Sequence, residues 1–136
     1  VKIEQEKWRI GVEAPIENNN TTEQVIQKVF SLSDRRIATS GNYRKFYVKD
    51  GVKYSHTLNP KTGTPVNHTL LSATVIADKC SSADAYATAF MVMGRDATLQ
   101  FVRQNENLNL DVYLIYTDAS GELKHSMSSR FSPYLE

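Results

Sequence analysis

The feature that most constrains the fold is an uninterrupted apolar and β-branched run, LLSATVIA, at Leu70–Ala77. A strand of this composition is covered on both faces, because neither face carries a regular row of polar side chains. We therefore predict a buried central strand here. A helix is predicted directly after it, at Ser81–Met93, with Ser81 as N-cap, Asp84 as the acidic residue of a capping box, and Gly94 at the helix end.

The segments around this strand predict further strands and a second helix. Gln24–Leu32 is compatible with a helix or a strand, and we favour a strand because the turn at Ser33-Asp34 leads to Arg35–Ser40 as its pairing partner. Before this pair, we predict an edge strand at Val1–Gln5, a strand at Lys7–Glu13 and a polar loop at Glu17–Thr22. After it, we predict a hairpin of Lys45–Val48 and Val52–Tyr54 around Asp50-Gly51, and a helix at Asp96–Gln104 with Asp96 as N-cap. The last predicted elements are a strand at Leu108–Thr117, its partner at Glu122–Met127, and a tail docked through Phe131 and Tyr134.

Chain length and charge narrow the class of protein. The 136 residues suit a single domain, 1–136, which we predict to be α+β, with a mostly antiparallel sheet and two consecutive helices packed on it. The 16 basic and 15 acidic residues give a net charge of +1, and no basic run exceeds a pair such as Arg35-Arg36. We therefore expect neither nucleic-acid binding nor a charged membrane-binding surface.

A loop at Ser55–Val66, SHTLNPKTGTPV, follows the second strand of the predicted hairpin. Its histidine, asparagine, lysine and hydroxyl side chains together suit an anionic ligand. His56 could act as a base, an acid or a phosphate contact, or it could hold the loop backbone through a hydrogen bond. The stretch from Asn59 to Gly63 has the composition of a tight turn, and a purely structural connection is the alternative for it.

Asp84 and Thr88 lie four residues apart in the predicted helix and therefore share one face. A carboxylate and a hydroxyl are hard oxygen ligands that suit Mg²⁺ or Ca²⁺. The alternative is that Asp84 caps the helix while Thr88 bonds back to a carbonyl of the preceding turn. Spacing alone favours this alternative, and two ligands do not complete a magnesium site.

Several blocks of the sequence together resemble the ApbE family. They are ATSGNY at Ala38–Tyr43, YSHTLNPKTGTPV at Tyr54–Val66, ATVIADKC at Ala73–Cys80 and SADAYATAFMVMG at Ser82–Gly94, preceded by WRIGVEAP at Trp8–Pro15. The order and spacing of the blocks match that family, and SHxxNPxTGxPV and ADAxAT are the more specific patterns. The resemblance spans nearly the whole chain but only the C-terminal part of the family, so we expect the chain to belong to a longer protein.

The resemblance implies an FAD:protein FMN transferase that depends on Mg²⁺. Such enzymes cleave the diphosphate of FAD, join FMN through its phosphate to a threonine of a target protein and release AMP. By position, Asp84 and Thr88 match the metal-binding acid and threonine, which favours metal ligation for this pair. His56 matches a loop histidine that contacts phosphate or assists deprotonation of the incoming hydroxyl. The residues that match segments lining the flavin and diphosphate site are Ser40, Gly41, Thr62 and Gly63.

Two residues depart from the family pattern, because Asn42 and Asn59 stand where aspartate is common. A neutral amide at Asn59 keeps the turn chemistry but removes a charge. Some family members hydrolyse FAD to FMN and AMP, so an FAD pyrophosphatase is the near alternative, and a non-catalytic flavin-binding or structural module is the other. We expect the isolated chain to bind FAD weakly or not at all and to lack transferase activity.

The resemblance also implies the partners and the location of the protein. The acceptor would be a protein that carries a threonine flavinylation motif. The location would be the cell envelope outside the cytoplasmic membrane, periplasmic or lipid-anchored, with any anchor outside this chain.

Overall fold

The computed structural model describes residues 6–15, 26–42 and 46–136. The predicted strand Val1–Gln5 and the predicted loop Glu17–Thr22 lie outside these residues. The described elements are β1 (Trp8–Glu13), β2 (Ile26–Leu32), β3 (Arg36–Gly41), β4 (Phe46–Lys49), β5 (Val52–Ser55), β6 (Leu70–Ala77), α1 (Cys80–Met93), α2 (Arg95–Gln104), β7 (Asp111–Thr117) and β8 (Leu123–Met127). Within the described residues, neither helix has the length and apolar content needed to cross a lipid bilayer.

A four-stranded antiparallel sheet with the order β3-β6-β7-β8 forms the centre of the fold. The strand predicted as central is β6, and all its residues from Ser72 to Ala77 are buried. Because successive side chains of a strand point to opposite faces, both faces of β6 must be covered. The two helices cover one face, where Val75 and Ala77 of β6 share an apolar cluster with Ala83 and Phe90 of α1.

The hairpin of β1 and β2, together with the C-terminal tail, covers the other face of the sheet. The ring of Phe30 in β2 packs edge to face on Tyr113 of β7 and on Phe131 of the tail, with centroid distances of 5.2 and 5.0 Å. Phe131 is fully buried and its ring contacts Tyr134, so the predicted docking of the tail is confirmed. The three layers of helices, sheet and hairpin with tail confirm the predicted α+β class.

The predicted hairpin around Asp50-Gly51 is also confirmed, with β4 and β5 as its strands. Both turn residues have positive φ, at 51° and 75°, as a tight two-residue hairpin turn with the twist of its strands requires. β5 ends at Ser55 and leads directly into the loop that begins with His56.

The partner predicted for β3 is wrong. We expected Arg35–Ser40 to pair with β2, but β3 pairs with β6, and β2 pairs with β1 in a separate two-stranded sheet. Asp34, at a φ of 56°, lies in the turn that takes the chain from one layer to the other. Alternation along β3 fits either pairing, because Ile37 packs toward the β1–β2 hairpin and Ala38 toward the helices.

The predicted start of α1 is wrong as well. The helix begins at Cys80, and its N-cap is Lys79 in an extended conformation without a side-chain capping bond. Ser81 is therefore not the N-cap, and Asp84 belongs to no capping box. The connection from β6 to α1 is so short that the end of the strand decides where the helix starts. Gly94 ends the helix as predicted, with a φ of 83°.

The second helix and the strand after it also begin at residues other than those predicted. α2 starts at Arg95 with Gly94 as N-cap, and Asp96 lies in its first turn, where the carboxylate accepts a hydrogen bond from Arg95 Nε at 2.8 Å. The strand predicted at Leu108–Thr117 starts only at Asp111. Asn109 adopts a left-handed conformation, with φ at 50°, after a short 3-10 turn, and this breaks the extended run.

An ionic cluster lies where β3 and β7 begin, and it consists of Arg35, Asp78, Asp111, Arg130 and Tyr134. The buried Asp111 carboxylate lies 3.7 Å from Arg35 and 3.6 Å from Arg130. Arg35 also pairs with Asp78 at 3.3 Å, and the Tyr134 hydroxyl donates to Asp111 at 3.4 Å. Burial raises the pKa of Asp111, and the two nearby arginines only partly oppose this. The cluster joins the central sheet to the C-terminal tail.

Candidate functional site

The exposed side of α1 carries the two predicted metal ligands. The helix buries one stripe of small and apolar residues, namely Ala83, Ala87, Phe90 and Met91. Asp84 and Thr88 lie outside this stripe, one turn apart, and both are exposed. Asp84 comes after the first turn of the helix, so it does not cap the helix N-terminus. Within the described part of the chain, its carboxylate forms no ion pair.

Thr88 is joined to β3 by a pair of hydroxyl groups. Ser40 Oγ and Thr88 Oγ1 lie 3.1 Å apart, although 48 residues separate them in the sequence, and either hydroxyl can donate. Thr88 thus uses its hydroxyl toward the neighbouring strand, and not toward a carbonyl of its own helix. The contact brings the Ser40-Gly41 segment and the Asp84–Thr88 segment together.

The end of β3 is held firmly against β6. Ser40 and Gly41 pair with β6 as the last residues of the strand. The backbone N–H of Asn42 donates to the Leu71 carbonyl at 3.1 Å, and its side-chain Nδ2 donates to the Leu70 carbonyl at 3.2 Å. An ionised aspartate could not donate the second bond. Asparagine at this position therefore has a structural reason of its own.

The loop after β5 is organised by Asn59. Its carbonyl accepts the backbone N–H groups of Thr62 and Gly63 at 3.2 and 2.8 Å, and its side-chain Oδ1 accepts the N–H of Lys61 at 2.9 Å. An amide oxygen serves this last bond as a carboxylate would, so asparagine preserves the turn. Because these three N–H groups are already bonded, a phosphate at this loop would meet side chains instead of these amides.

The side chains of the loop form a second part of the site. His56 is exposed at the first loop position, and the exposed hydroxyls of Thr62 and Thr64 lie 2.8 Å apart. The hydrogen bonds of Thr62 and Gly63 stay within the loop, so the described contacts do not join them to Thr88. We call the first group the helix–strand part (Ser40, Gly41, Asp84, Thr88) and the second the loop part (His56, Thr62, Gly63).

One histidine that carried no recognisable sequence pattern supports the scaffold of the site. His68 Nδ1 accepts the backbone N–H of Leu70 at 3.2 Å, so Nε2 carries the hydrogen and donates to the Met91 carbonyl at 2.6 Å. The ring thereby ties the start of β6 to the last turn of α1. The Met91 carbonyl lies 23 residues from His68 in sequence, so no local motif could have indicated this link to α1.

The donor set of the helix–strand part fits a hard cation. Asp84 and Thr88 offer a carboxylate and a hydroxyl on one exposed face, and these are the oxygen ligands that Mg²⁺ prefers. Among the residues that the structure describes, no group of three His, Cys, Asp or Glu side chains could hold a metal ion together. Mg²⁺ usually keeps several waters and binds through one or two carboxylates plus substrate phosphates. The residues present suit a cation held together with a phosphate substrate.

Comparison with known proteins decides the family. The model of the ApbE family matches residues 2–114. The chain belongs to the ApbE family. Among curated ApbE relatives, the FAD:protein FMN transferase of Vibrio cholerae serotype O1 is 37% identical over 128 residues, which cover 94% of this chain and 36% of the relative.

Solved ApbE structures share the fold of the chain. The flavin transferase ApbE from Vibrio cholerae matches with a TM-score of 0.74 and 36% identity, over 94% of this chain and 38% of that protein. The ApbE protein from Thermotoga maritima matches with a TM-score of 0.75 and 29% identity, over 97% of this chain and 39% of that protein. The chain thus spans about a third of the length of the curated ApbE relative, at 36%.

Proposed function

We propose that this chain is the C-terminal part of a Mg²⁺-dependent FAD:protein FMN transferase, which attaches FMN through its phosphate to a threonine of a target protein and releases AMP. The observation that carries the proposal is the similarity, along 94% of the chain, to a relative named FAD:protein FMN transferase. The contact between Ser40 and Thr88 supports the location of the site. It joins the segment proposed for the diphosphate to the segment proposed for the cation.

In this proposal, Asp84 and Thr88 hold Mg²⁺ through their side-chain oxygens. When bound, Mg²⁺ supplies charge neutralisation at the diphosphate. Both side chains are exposed, which leaves the other coordination positions to substrate phosphate and water. Asp84 contributes the negative charge and Thr88 a neutral ligand one helical turn away.

The reaction would be a displacement at the FMN-side phosphorus of FAD. The threonine oxygen of the acceptor forms a bond to this phosphorus, the bond from phosphorus to the AMP oxygen breaks, and AMP leaves with that electron pair. The threonine proton passes to a base, for which His56 is the candidate because it is exposed and directly follows the last residue of β5. A phosphate contact is the alternative role for the same ring.

The loop part would contact the phosphates through side chains. Since the N–H groups of Thr62 and Gly63 are bonded to Asn59, the hydroxyl of Thr62 and the ammonium group of Lys61 are the groups proposed to meet the anion. Gly63 has a φ of 68°, and a side chain there would meet no atom of the described residues within 4 Å of its Cβ. The space beside this glycine is therefore open, and the proposed position of the flavin beside the loop rests on the family resemblance.

The test uses the full-length protein that contains this chain, with FAD, Mg²⁺ and an acceptor domain carrying a threonine flavinylation motif. The intact mass of the acceptor and the released nucleotide are recorded. We expect the acceptor to gain one FMN with release of AMP, and His56→Ala to slow this about 100-fold or more if the ring is the base. Free FMN and AMP with an unmodified acceptor would identify a pyrophosphatase instead, and no turnover of FAD by the folded protein would leave a non-catalytic module.

We also propose a location in the cell envelope, outside the cytoplasmic membrane. This part of the proposal rests on the family resemblance alone. Fractionation of cells that express the full-length protein tests it, and recovery of the protein only from the cytoplasm would contradict it.

A further inference from the structure

We infer that Ser40 is a positioning residue for the cation site: its hydroxyl accepts the proton of Thr88 and so turns a lone pair of Thr88 toward the cation. This inference rests on the proposed function, in which Asp84 and Thr88 hold Mg²⁺. The observation behind it is the 3.1 Å separation of Ser40 Oγ and Thr88 Oγ1. Ser40 would thus act on the cation through Thr88.

The direction of this hydrogen bond follows from the chemistry of a hydroxyl ligand. A threonine hydroxyl has one hydrogen and two lone pairs. A cation takes a lone pair and repels the hydrogen, so the hydrogen must point away from the cation toward an acceptor. Ser40 Oγ lies within hydrogen-bond reach of Thr88 Oγ1. With a cation present, Thr88 therefore donates and Ser40 accepts.

Ser40 then has its own hydrogen left for a second partner. Because its oxygen accepts from Thr88, the Ser40 hydrogen must point elsewhere, and a phosphate oxygen of the substrate is the acceptor that suits this place in the site. The positioning role and the predicted role of Ser40 at the diphosphate are therefore compatible. Hydrogen bonds in such a series strengthen one another, so cation and phosphate would each favour the binding of the other.

Both hydroxyls are carried by rigid elements. Ser40 pairs with Ala73 in the central sheet, and Thr88 follows Ala87, whose side chain is fully buried under α1. The separation of the two oxygens is therefore set by the packing of α1 on β3. A positioning role requires groups held to within about 0.5 Å, and helices and strands meet this requirement better than loops do.

The neighbouring residue of β3 offers a matched control. Thr39 Oγ1 lies 2.8 Å from Thr74 Oγ1 of β6, so it forms the same kind of hydroxyl pair. Successive residues of a strand point to opposite faces, and this pair therefore lies on the face away from α1. If the bond between Ser40 and Thr88 only fastened the structure, its loss and the loss of the Thr39 pair would have similar effects.

The test is a titration of the full-length protein with Mn²⁺, a probe for the Mg²⁺ site, followed by electron paramagnetic resonance. We expect Ser40→Ala to weaken Mn²⁺ binding about 10-fold or more, and Ser40→Thr to restore most of the affinity. Thr39→Val should bind Mn²⁺ like the wild type. In a Thr88→Val background, Ser40→Ala should cause no further loss, because Ser40 acts through Thr88. If Ser40→Ala does not fold, Ser40→Cys, a weak hydrogen-bond acceptor of similar size, should show the same loss.

The outcomes separate this inference from the proposed function. Three results would overturn the positioning role: unchanged Mn²⁺ affinity in Ser40→Ala, an equal loss of affinity in Thr39→Val, or additive losses in the double variant. The proposed function would still stand in each case if the wild type binds Mn²⁺ and transfers FMN. A folded wild type that neither binds Mn²⁺ nor transfers FMN would overturn both. Thermal unfolding of every variant shows whether a lost affinity reflects a lost fold.

Discussion

The two ends of β3 use polar side chains in opposite ways. Where the strand begins, Arg35 meets the carboxylate of Asp111, whose side chain is only 3% exposed. Where the strand ends, Ser40 meets Thr88 on the exposed face of α1, one turn from Asp84. The Asp111 carboxylate at the first end is shielded from water and paired with arginines, whereas the hydroxyls at the second end are accessible to solvent. Burial, more than the number of charges, distinguishes scaffold from candidate site in this fold.

The buried end also shows why a charged cluster is not by itself a functional site. Burial raises the pKa of Asp111 even with two arginines nearby, so the site is unfavourable for an isolated carboxylate. Ion pairs of this kind add little net stability, but removal of Asp111 leaves Arg35, whose side chain is only 16% exposed, with the solvent-exposed Asp78 as its remaining counter-charge. Variants at the two ends of β3 should therefore differ in what they damage.

The largest expected effect is that of Asp111→Ala on stability. Arg35 and Arg130 would lose their shared counter-charge, and we expect the free energy of unfolding to fall by about 3 kcal/mol. Urea unfolding of the full-length protein measures this. The control is Arg9→Ala, which removes the exposed pair with Glu136 and should cost less than about 1 kcal/mol. A smaller loss for Asp111→Ala than for Arg9→Ala would contradict the structural role of the ionic cluster.

A smaller effect on stability is expected from His68→Phe. This variant tests whether His68 belongs to the scaffold and His56 to the candidate site. The Leu70 N–H and the Met91 carbonyl would lose their partner, and we expect a loss of about 2 kcal/mol in the free energy of unfolding. His56→Phe, at an exposed loop position, should change stability by about 0.5 kcal/mol or less. Equal stability losses in the two variants, measured by urea unfolding, would show that the two histidines do not divide into scaffold and site.

The smallest expected effect is the contribution of Asp111, at the buried end of β3, to the pH dependence of stability. The pKa of Asp111 is raised above its ordinary value of 3.8, so the folded state binds its proton more tightly than the unfolded state does. Its contribution to stability must then fall as the pH rises from this value through the raised pKa. Asp118 and Glu136 contribute with the opposite sign, because the hydroxyls of Ser120 and Ser31 lower the pKa of their carboxyl groups.

The Asp111→Asn variant isolates this contribution. It removes the titration of Asp111 and leaves Asp118 and Glu136 in place. We expect the unfolding free energy of the wild type minus that of the variant to decrease as the pH rises from 3.8 through the raised pKa of Asp111. An increase would mean that the arginines, and not burial, dominate the environment of Asp111.

Much of the fold could be predicted because its signals are local. The apolar run of β6, the turn at Asp50-Gly51 and the aromatic residues of the tail each carry their own pattern in sequence. The pairing of β3 could not be predicted, since its alternation suits any strand that is covered on two faces. The start of α1 was missed because the short connection from β6, and not the capping preference of Ser81, fixes it.

The candidate site also has features that a local sequence pattern predicts and features that no such pattern indicates. The spacing of Asp84 and Thr88 predicted a shared helix face, which the structure confirms. The hydroxyl pair of Ser40 and Thr88 spans 48 residues, and no local pattern indicates a contact at that distance. The same holds for the ionic cluster, whose members come from the start of β3, the end of β6, the start of β7 and the tail.

The most direct test of the comparison is FMN transfer by Asp84→Asn and Asp111→Asn, measured side by side. The full-length variants are incubated with FAD, Mg²⁺ and the acceptor domain, and the intact mass of the acceptor is recorded per folded molecule. We predict that Asp84→Asn leaves the acceptor unmodified while its unfolding transition stays at the wild-type position, and that Asp111→Asn modifies the acceptor at the wild-type rate. Full activity of Asp84→Asn would contradict the assignment of the exposed face of α1 as the site of the reaction.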